Sequence, residues 1–255
     1  MSINSQHLPL GISTLFSVFQ KEIDLLVQQP IIIAIDGHSS CGKSTLAVQL
    51  STLTGYTHLD SGAMYRAVTQ YFLANDIDYN NEEAVRDALG KITIEFQKSG
   101  DKGLTVLNGI VVEDEIRSML VSEHVSPVAA ISAVRSFLVG QQRTLGKNKG
   151  VIMDGRDIGT VVFPHAEVKL FITASIDIRT ERRYNELVEK GIENITKAEV
   201  ATNLSDRDRI DSNRADSPLK KADDSLLMDT SDMKHKDQLE YALKAIFSRH
   251  QQLRN

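Results

Sequence analysis

Nine consecutive residues, from Gly37 to Thr45, carry the clearest chemical signal in the sequence. The first eight of them, Gly37 to Ser44, follow the pattern G-x-x-x-x-G-K-[ST]. The glycines let successive backbone N–H groups converge on phosphate oxygens, and a helix that begins there adds its positive N-terminal end. In this pattern the lysine reaches the β- and γ-phosphates and the hydroxyl ligates Mg²⁺. We therefore expect ATP or another nucleoside triphosphate to bind at Gly37, His38, Ser39, Ser40, Cys41, Gly42, Lys43, Ser44 and Thr45.

The segments on either side of this loop fit a phosphate-binding unit. The apolar run Ile31–Ile35 precedes the loop, and Leu46, Val48 and Leu50 follow it within a helix-compatible segment. That order of strand, loop and helix is the structural context that the motif requires. The alternative is a glycine-rich turn that only caps a helix, and the flanking segments favour phosphate binding over it.

The composition limits the classes of protein to which the chain can belong. Its 255 residues suffice for one large α/β domain with a smaller insertion, and 41% of them are apolar. A formal net charge of −5 argues against a protein that coats nucleic acid. A single cysteine, Cys41, excludes an internal disulfide and is typical of a reducing compartment. No apolar stretch reaches the ~20 residues of a membrane span, and no secretory signal is visible, so we expect a cytoplasmic protein without membrane or nucleic-acid partners.

Strand and helix signals alternate along most of the chain. Strand-like runs cover Ile31–Ile35, Gly150–Asp154, Val168–Thr173 and Ser225–Asp229, and helical patterns cover 176–190 and 237–248. Apolar strands separated by helices predict an α/β fold, with a parallel sheet covered by helices on both faces. Ligands bind such sheets beyond the carboxyl ends of the strands, where the phosphate loop should meet residues 60–62 and 154–157.

Two segments depart from this alternation. Residues 91–118 contain three short strand-like runs around the tight-turn signal Asn108-Gly109, which predicts a small inserted antiparallel sheet. The three runs are Lys91–Phe96, Gly103–Leu107 and Ile110–Glu113. Residues 1–30 have apolar positions at helical spacing and end at Pro30. We expect them to form one amphipathic helix, packed on the body of the protein or on a partner.

Polar residues that follow two of the strands can bind a second substrate. Arg66 can hold a phosphate bidentately while Ser61 hydrogen-bonds a base or a sugar, although a helix cap with a surface arginine explains both residues equally well. In the segment 154–157, Asp154 is placed to hold Mg²⁺ through water, and Arg156 to bridge two phosphates. Asp157 can accept hydrogen bonds from an amino group. The alternative is that this segment is only a β-turn with a salt bridge. Because the segment lies beside a phosphate loop, a ligand site is favoured over that alternative.

Two arginine-rich segments bracket Gly191. Arg179, Arg182 and Arg183 are spaced i, i+3 and i+4 and should share one helix face, and Asp206–Arg214 follows them. Such runs usually form a solvated surface. Here they can close as a lid over a triphosphate, where arginines stabilise the charge on a transferring phosphoryl group and exclude water.

Together these motifs carry a family resemblance. From about Ile31 to Ser248 the chain resembles the bacterial cytidylate kinases, which are phosphate-loop (P-loop) nucleoside monophosphate kinases. The resemblance rests on Asp60–Arg66, Asp154–Pro164 and Arg207–Arg214, and on the inserted strands. It implies a P-loop kinase fold with a helical lid. It also implies transfer of the γ-phosphate of ATP, with Mg²⁺, to CMP or dCMP, giving CDP or dCDP and ADP.

The resemblance also implies roles for individual residues. The cytosine-reading set is Ser61, Arg135, Asp157 and Arg214. The ribose contacts are Ser126, Arg207 and Asp211, and the acceptor-phosphate contacts are Arg66 and Arg156. Cytosine offers an amino donor that suits a carboxylate and acceptors that suit arginine. Uracil would turn a carbonyl oxygen toward Asp157, and a site rejects an analogue by such unpaired polar groups.

We expect in-line transfer that depends on positioning and electrostatics. The groups that neutralise the developing charge are Lys43, Mg²⁺ on Ser44 and Asp154, Arg156, and the lid arginines Arg179 and Arg183. The monophosphate oxygen is already an anionic nucleophile, so no strong general base is required. The loop residues His38–Cys41 depart from the family's Pro/Ala/Ser/Gly-rich loop. Because backbone groups bind the phosphates, we expect this change to alter ATP affinity at most.

This interpretation divides the chain into a core, an insertion, a lid and an extension. The core is 31–90, 119–175 and 215–255, the insertion 91–118, the lid 176–214 and the extension 1–30. Open lid and acceptor regions favour a monomer. The rivals are another P-loop kinase, acting on UMP, dTMP or a metabolite such as shikimate, and a nucleotide-binding switch without transferase activity. A GTPase switch should carry an N-K-x-D-like motif, and Asn148-Lys149 is followed by residues that do not fit.

Overall fold

A computed structural model describes residues 10–99, 102–192 and 194–254. The described residues form ten α-helices and eight strands. The helices are α1 (Leu10–Val18), α2 (Gln20–Gln28), α3 (Lys43–Thr54), α4 (Ser61–Ala74), α5 (Glu82–Leu89), α6 (Met119–Ala129), α7 (Ser132–Leu145), α8 (Ile176–Glu189), α9 (Lys197–Asn213) and α10 (His235–Gln252). The strands are β1 (Ile32–Gly37), β2 (Thr57–Asp60), β3 (Ile94–Ser99), β4 (Lys102–Leu107), β5 (Ile110–Val111), β6 (Val151–Gly155), β7 (Val168–Thr173) and β8 (Leu226–Asp229).

Five strands form the parallel sheet that the sequence predicts. Their order is β2-β6-β1-β7-β8, and every pair is parallel. The central strand β1 pairs with β6 through Ala34 and Met153 and with β7 through Ile35 and Leu170. The predicted strand bounds are correct to within one or two residues. The sheet therefore places β1, and the loop that follows it, in the middle of the fold.

Helices cover both faces of this sheet. The side chains of β1 show this, since they alternate between two apolar layers. Ile33 and Ile35 are fully buried among residues of α3 and α10. Ala34 lies in a separate cluster with residues of β2, β6 and a π-helical turn at Ile158–Val162. A strand buried on both faces is typical of parallel sheets. The predicted α/β fold is confirmed.

The N-terminal segment forms two helices, so the prediction of one continuous helix is wrong. The chain breaks at Phe19, whose φ of −109° and ψ of 17° lie outside the helical range. The Phe19 ring lies 5.3 Å from the ring of Phe247 on α10, and Ile23 and Leu26 of α2 are fully buried in the same cluster as α3. These helices pack on the body of the protein. Residues 1–9 of the predicted extension lie outside the described residues.

The inserted segment forms the predicted antiparallel sheet, in the order β3-β4-β5. Asn108 and Gly109 both have positive φ (50° and 81°), as the tightest hairpin turns require. The third strand is shorter than predicted and ends at Val111. Glu113 instead accepts hydrogen bonds from the Thr105 backbone and hydroxyl. Residues 100 and 101, between the first two strands, lie outside the described part.

The carboxyl ends of β1, β2 and β6 meet at one edge of the large sheet. β1 leads into the loop at residues 38–42, β2 into α4, and β6 into residues 156–157. The three segments expected to bind ligands therefore converge. Among the described residues, no helix combines the length and apolar character needed to cross a bilayer.

Candidate active site

A cavity of about 330 Å³ opens at this edge of the sheet. Its walls come from the phosphate loop, α4, α6, the end of β6, and α9. The predicted site residues that line it are Ser39, Ser40, Gly42, Lys43, Ser44, Thr45, Ser61, Arg66, Ser126, Asp154, Arg156, Asp157, Arg183, Arg207, Asp211 and Arg214. Gly37, His38, Cys41, Arg135 and Arg179 stand outside this lining. The structure therefore gathers most of the predicted residues around one space.

Two glycines give the phosphate loop its path. Gly37 has a φ of 145°, and a Cβ there would lie 1.9 Å from the Ile172 carbonyl oxygen of β7. Gly42 immediately precedes α3 and has a φ of 97°. A larger residue would clash at the first position and strain the backbone at both. The chain can therefore turn tightly from β1 into α3, which leaves the backbone N–H groups at the start of α3 available for phosphate.

Lys43 lies inside this loop and is only 6% exposed. Its Nζ donates a hydrogen bond to the His38 carbonyl oxygen at 2.5 Å and lies 3.7 Å from the Cys41 sulfur. Burial lowers the pKa of Lys43. A buried ammonium group with such a small set of partners is suited to pair with an anionic ligand in the cavity.

Two oxygens at the loop form a donor set that suits Mg²⁺. The Ser44 hydroxyl donates a hydrogen bond to Asp154 Oδ2 at 2.7 Å, although 110 residues separate the two in sequence. Hard oxygen ligands, few in number and beside a phosphate site, match the way Mg²⁺ is usually bound together with nucleotide phosphates. The two residues expected to hold the metal are therefore adjacent.

His58 is a residue of this site that the sequence did not indicate. Its Nε2 lies 2.7 Å from Asp154 Oδ1, so Asp154 contacts His58 through one oxygen and Ser44 through the other. Burial alone would lower the pKa of His58, but its hydrogen bond to Asp154 and the carboxylate charge outweigh burial and raise it. His58 therefore orients Asp154.

Arg156 joins the phosphate loop to α9. It donates hydrogen bonds to the Ser39 hydroxyl at 2.8 Å and to Asp211 Oδ2 at 2.9 Å. Burial opposes both charges, but their attraction prevails, raising the pKa of Arg156 and lowering that of Asp211. Arg156 therefore lies between the predicted donor site and the predicted acceptor site.

The arginines of α8 diverge, so the prediction that three of them share one face is only partly correct. Arg179 donates hydrogen bonds to Asp208 Oδ2 at 2.7 Å and to the Ser39 carbonyl at 3.4 Å, which places it behind the loop. Arg183 lines the cavity and pairs with Glu186 at 2.9 Å. Arg182 instead donates hydrogen bonds to the backbone and hydroxyl oxygens of Thr230, away from the cavity.

Several cations surround one part of the cavity. Arg207, on α9, donates a hydrogen bond to the Ser122 hydroxyl at 3.1 Å, and burial together with the charge of Arg156 lowers its pKa to about 9. Arg66 and Arg183 add to this repulsion. The Nε groups of Arg66 and Arg207 are buried and have no hydrogen-bond partner within the described residues. Crowded guanidinium groups with unused donors are typical of a phosphate site.

A buried carboxylate marks the far end of the cavity. Asp157 is only 3% exposed and lies between two arginines, accepting a hydrogen bond from Arg135 and one from Arg214 at 3.5 Å. The guanidinium of Arg135 lies 5.6 Å from the centre of the Tyr65 ring. Such a group offers both acceptors and donors to a planar base.

The remaining predicted contacts lie around this end. The Ser61 hydroxyl donates a hydrogen bond to the Asp154 carbonyl at 2.7 Å, and Ser126 of α6 is buried in the cavity wall. Arg66 pairs with Asp60 at 2.7 Å, and Asp60 also caps α4 through the Ala63 N–H. Both explanations of this segment, helix cap and ligand site, therefore fit the same residues.

Arg117, unlike His58, lines the cavity itself, and the sequence did not indicate this residue either. It follows the inserted strands and donates hydrogen bonds to Glu113 at 2.5 and 2.7 Å. It also lies 3.7 Å from Asp60. Burial would raise the pKa of Asp60, but Arg66 and Arg117 hold it well below its usual range. The insertion therefore adds a cation to the acceptor end, a link between elements distant in sequence.

The arrangement can bind two phosphate-bearing ligands in line. The phosphate loop offers backbone donors and Lys43 at one end, and the buried Asp157 can pair with a base at the other. Arginines from four elements lie between the two ends. Positive charge concentrated between two phosphate sites is what phosphoryl transfer requires, because the transferring group is negatively charged throughout.

Comparisons with known proteins agree with this geometry. The sequence model of the family described as cytidylate kinase matches residues 33–248. The chain is similar to the cytidylate kinases of Porphyromonas gingivalis W83, with 50% identity over 209 residues (80% of this chain and 90% of the relative), and of Bacteroides thetaiotaomicron, with 50% over 216 residues (83% and 94%). The cytidylate kinase of Phocaeicola vulgatus is 53% identical over 211 residues (80% and 90%). Residues 1–32 lie outside the family match.

Proposed function

The chain belongs to the cytidylate kinase family, and from that premise we propose that it transfers the γ-phosphate of ATP to CMP or dCMP. The products are ADP and CDP or dCDP. The observation that carries this assignment is the buried Asp157, held between Arg135 and Arg214 in a part of the cavity wall that the phosphate loop does not form. A switch protein without transferase activity has no use for a second polar site of this kind.

The donor nucleotide is bound by the loop Gly37–Thr45. Its backbone N–H groups and the N-terminal end of α3 bind the β- and γ-phosphates, and Lys43 turns from the His38 carbonyl to the γ-phosphate. Ser44 and Asp154 would hold Mg²⁺, which neutralises phosphate charge when bound. Arg179 stabilises the loop from behind through the Ser39 carbonyl.

In the transfer step, a phosphate oxygen of the acceptor attacks the γ-phosphorus. A new P–O bond forms to CMP as the bond between the γ-phosphorus and the bridging oxygen breaks, and ADP leaves with the electron pair. Arg156, with Arg66, holds the acceptor phosphate, and Arg183 stabilises charge on the transferring group. The attacking oxygen is already anionic, so no proton must be removed first.

The acceptor base is read by the cluster at the far end of the cavity. Asp157 accepts hydrogen bonds from the exocyclic amino group of cytosine, while Arg135 and Arg214 orient Asp157, and Arg214, which lines the cavity, serves the ring acceptors. Ser61 completes the base site. Ser126, Arg207 and Asp211 contact the ribose. Uracil would present an oxygen to Asp157, so UMP should be a poor acceptor.

The helices α8 and α9 supply the lid, and the inserted strands complete the acceptor side. The arginines and acids that face the cavity from α9, such as Arg207 and Asp211, fit a segment that closes over bound nucleotides and excludes water. We propose that the enzyme works as a monomer in the cytoplasm. The separate mobile regions that the reaction needs and the single buried cysteine support this view.

The test is ADP formation from Mg²⁺-ATP with a panel of acceptors: CMP, dCMP, UMP, AMP, GMP, dTMP and shikimate. The proposal expects strong turnover with CMP and dCMP and weak turnover with the others. Strong turnover with another acceptor alone would support kinase activity and refute the assignment of the cytosine site. ATP binding without turnover of any acceptor would refute transferase activity.

A further inference from the structure

Asp36 is a buried carboxylate outside every motif considered above. It is the last but one residue of β1, directly before Gly37, and is only 4% exposed. Its Oδ1 accepts a hydrogen bond from the Ile158 N–H at 2.7 Å, and its Oδ2 accepts one from the Gly159 N–H, also at 2.7 Å. Both oxygens are therefore committed to the backbone of a segment more than 120 residues away in sequence.

The two amides belong to the start of the π-helical turn Ile158–Val162. The first N–H groups of a helical turn have no partner inside it, so an external acceptor must satisfy them when they are buried. π-Helical turns are uncommon and frequently lie at functional sites. This turn begins directly after Asp157, so the position of its first residues determines the backbone position of Asp157 and hence the placement of its side chain.

Gly159 leaves room for this contact. A Cβ at that position would lie 3.2 Å from Asp36 Oδ2 and 3.1 Å from Lys169 Cδ. The far end of the turn is held separately: Arg143 donates a hydrogen bond to the Val161 carbonyl at 2.7 Å. Asp36 is thus the contact that holds the end next to Asp157.

We propose that Asp36 is a positioning residue for the acceptor site. By binding the Ile158 and Gly159 N–H groups, it ties the strand that carries the phosphate loop to the segment that carries Arg156 and Asp157. The alignment of the acceptor base with the donor phosphates then depends on this link. This inference rests on the proposed function and adds a specificity determinant to it.

The electrostatic cost of Asp36 supports a specific role. Burial raises the pKa of Asp36 to about 7, although its hydrogen bonds to Gly159 and Ile158 act in the opposite direction. The charge of Asp157 raises it further, and that of Lys43 lowers it. An apolar residue would fill this place in the core without such a cost, so packing alone does not account for the carboxylate.

The test compares Asp36→Asn with the wild type for both substrates. An asparagine keeps one acceptor oxygen but turns an NH₂ donor toward an N–H donor, which releases one end of the turn. We expect KM for CMP to rise about 10- to 100-fold, because small misplacements of a binding group have effects of this size. The ratio of kcat/KM for CMP to that for UMP should fall, while KM for ATP changes less than about threefold. Calorimetric CMP binding without ATP should weaken by the same factor as KM for CMP.

A second variant and a control keep the test decisive. Gly159→Ala disturbs the same contact from the other side and should shift KM for CMP in the same direction. Ile246→Val, on the buried face of α10, should lower thermal stability without changing either KM. If KM for ATP and KM for CMP rise equally, or if the variants behave like Ile246→Val, the positioning role is wrong.

The wild type alone decides whether CMP is the acceptor. The role of Asp36 is judged by the KM of the variant relative to the KM of the wild type, measured with the acceptor that the wild type uses. The proposed function and the role of Asp36 can therefore fail separately. Asp36→Asn kinetics like those of the wild type would overturn the role of Asp36 and leave the function intact.

Discussion

The donor end and the acceptor end of the cavity are built in different ways. At the donor end, one continuous segment, Gly37–Thr45, provides the loop, and its backbone groups are the proposed phosphate ligands. At the acceptor end, side chains from α4, α6, α7, α9 and the end of β6 converge, and arginines pair with carboxylates. A backbone site tolerates changes of side chain. A site of paired charges does not, because removing one partner leaves the other buried and uncompensated.

The helix α9 shows the same contrast within one turn. Asp208 pairs with Arg179, which supports the phosphate loop, whereas Asp211 pairs with Arg156 and lines the acceptor cavity. The two acids are three residues apart and make ion pairs of 2.7 and 2.9 Å. Because the two positions are neighbours on one helix, substitutions there compare the kinetic effects of disturbing the donor end and the acceptor end separately.

The largest effect is expected for Lys43→Ala, at the donor end. Removing the buried ammonium group should lower kcat/KM at least about a thousandfold, because it neutralises charge on the transferring phosphoryl group. Steady-state kinetics and a thermal unfolding curve measure activity and folding separately. Lys244→Ala removes an exposed lysine and is the control. Near-normal turnover in a folded Lys43→Ala protein would refute the phosphate-loop assignment.

The pair Asp211→Ala and Asp208→Ala tests whether the two ends are separate. Asp211→Ala leaves Arg156 without its carboxylate partner and removes the proposed ribose contact, so KM for CMP should rise roughly 30-fold or more, with little change in KM for ATP. Asp208→Ala should change KM for ATP or kcat and leave KM for CMP within about threefold, since its partner is Arg179. Unchanged CMP kinetics in Asp211→Ala would mean that the ribose site is misplaced.

A stability effect without a kinetic one is expected at the N-terminal helices. Leu26 of α2 is fully buried in the cluster that contains α3, so Leu26→Ala should lower the free energy of unfolding by about 2–5 kcal/mol. The neighbouring Val27 is 42% exposed, so Val27→Ala should change it by less than about 0.5 kcal/mol. Urea titration measures both. A selective rise in KM for ATP in Leu26→Ala would show that α2 acts on the donor end specifically.

The smallest effect is expected for Cys41→Ala within the loop. The thiol donates a hydrogen bond to the His38 carbonyl at 3.0 Å and accepts a long one from Lys43 Nζ at 3.7 Å, and backbone groups are the proposed phosphate ligands. KM for ATP should change less than about threefold, and KM for CMP should not change. A larger change in KM for ATP would mean that side chains, too, determine binding at the donor end.

The sequence predicted the strand, loop and helix around Gly37–Thr45 almost completely, because a contiguous motif between a strand and a helix has one common structure. The sheet, the inserted hairpin and the turn at Asn108-Gly109 followed from equally local patterns. Contacts between distant segments did not. The partnerships of His58 with Asp154, of Arg117 with Asp60 and of Asp36 with the turn after Asp157 depend on tertiary packing that no local spacing reveals.

Two predictions, one wrong and one only partly correct, failed for related reasons. Apolar periodicity continued through Phe19, so no local pattern marked the break between α1 and α2, which allows Phe19 to pack on Phe247. Helical spacing put Arg182 on the face of Arg179 and Arg183. A long side chain can bend to a nearer acceptor, and Arg182 reaches Thr230 instead. Helical spacing determines the direction of the Cα–Cβ bond, whereas tertiary contacts determine where the end of a long side chain lies.

The most direct test of the account is the ratio of kcat/KM for CMP to that for UMP, measured in the wild type and in Asp157→Asn. An asparagine can donate a hydrogen bond to the uracil carbonyl, and it loses the charge that Arg135 and Arg214 hold in place. Thermal unfolding confirms that the variant is folded. We predict that the wild type prefers CMP strongly and that the ratio falls by about a hundredfold or more in the variant. An unchanged ratio in a folded variant would contradict the assignment of Asp157 as the reader of cytosine.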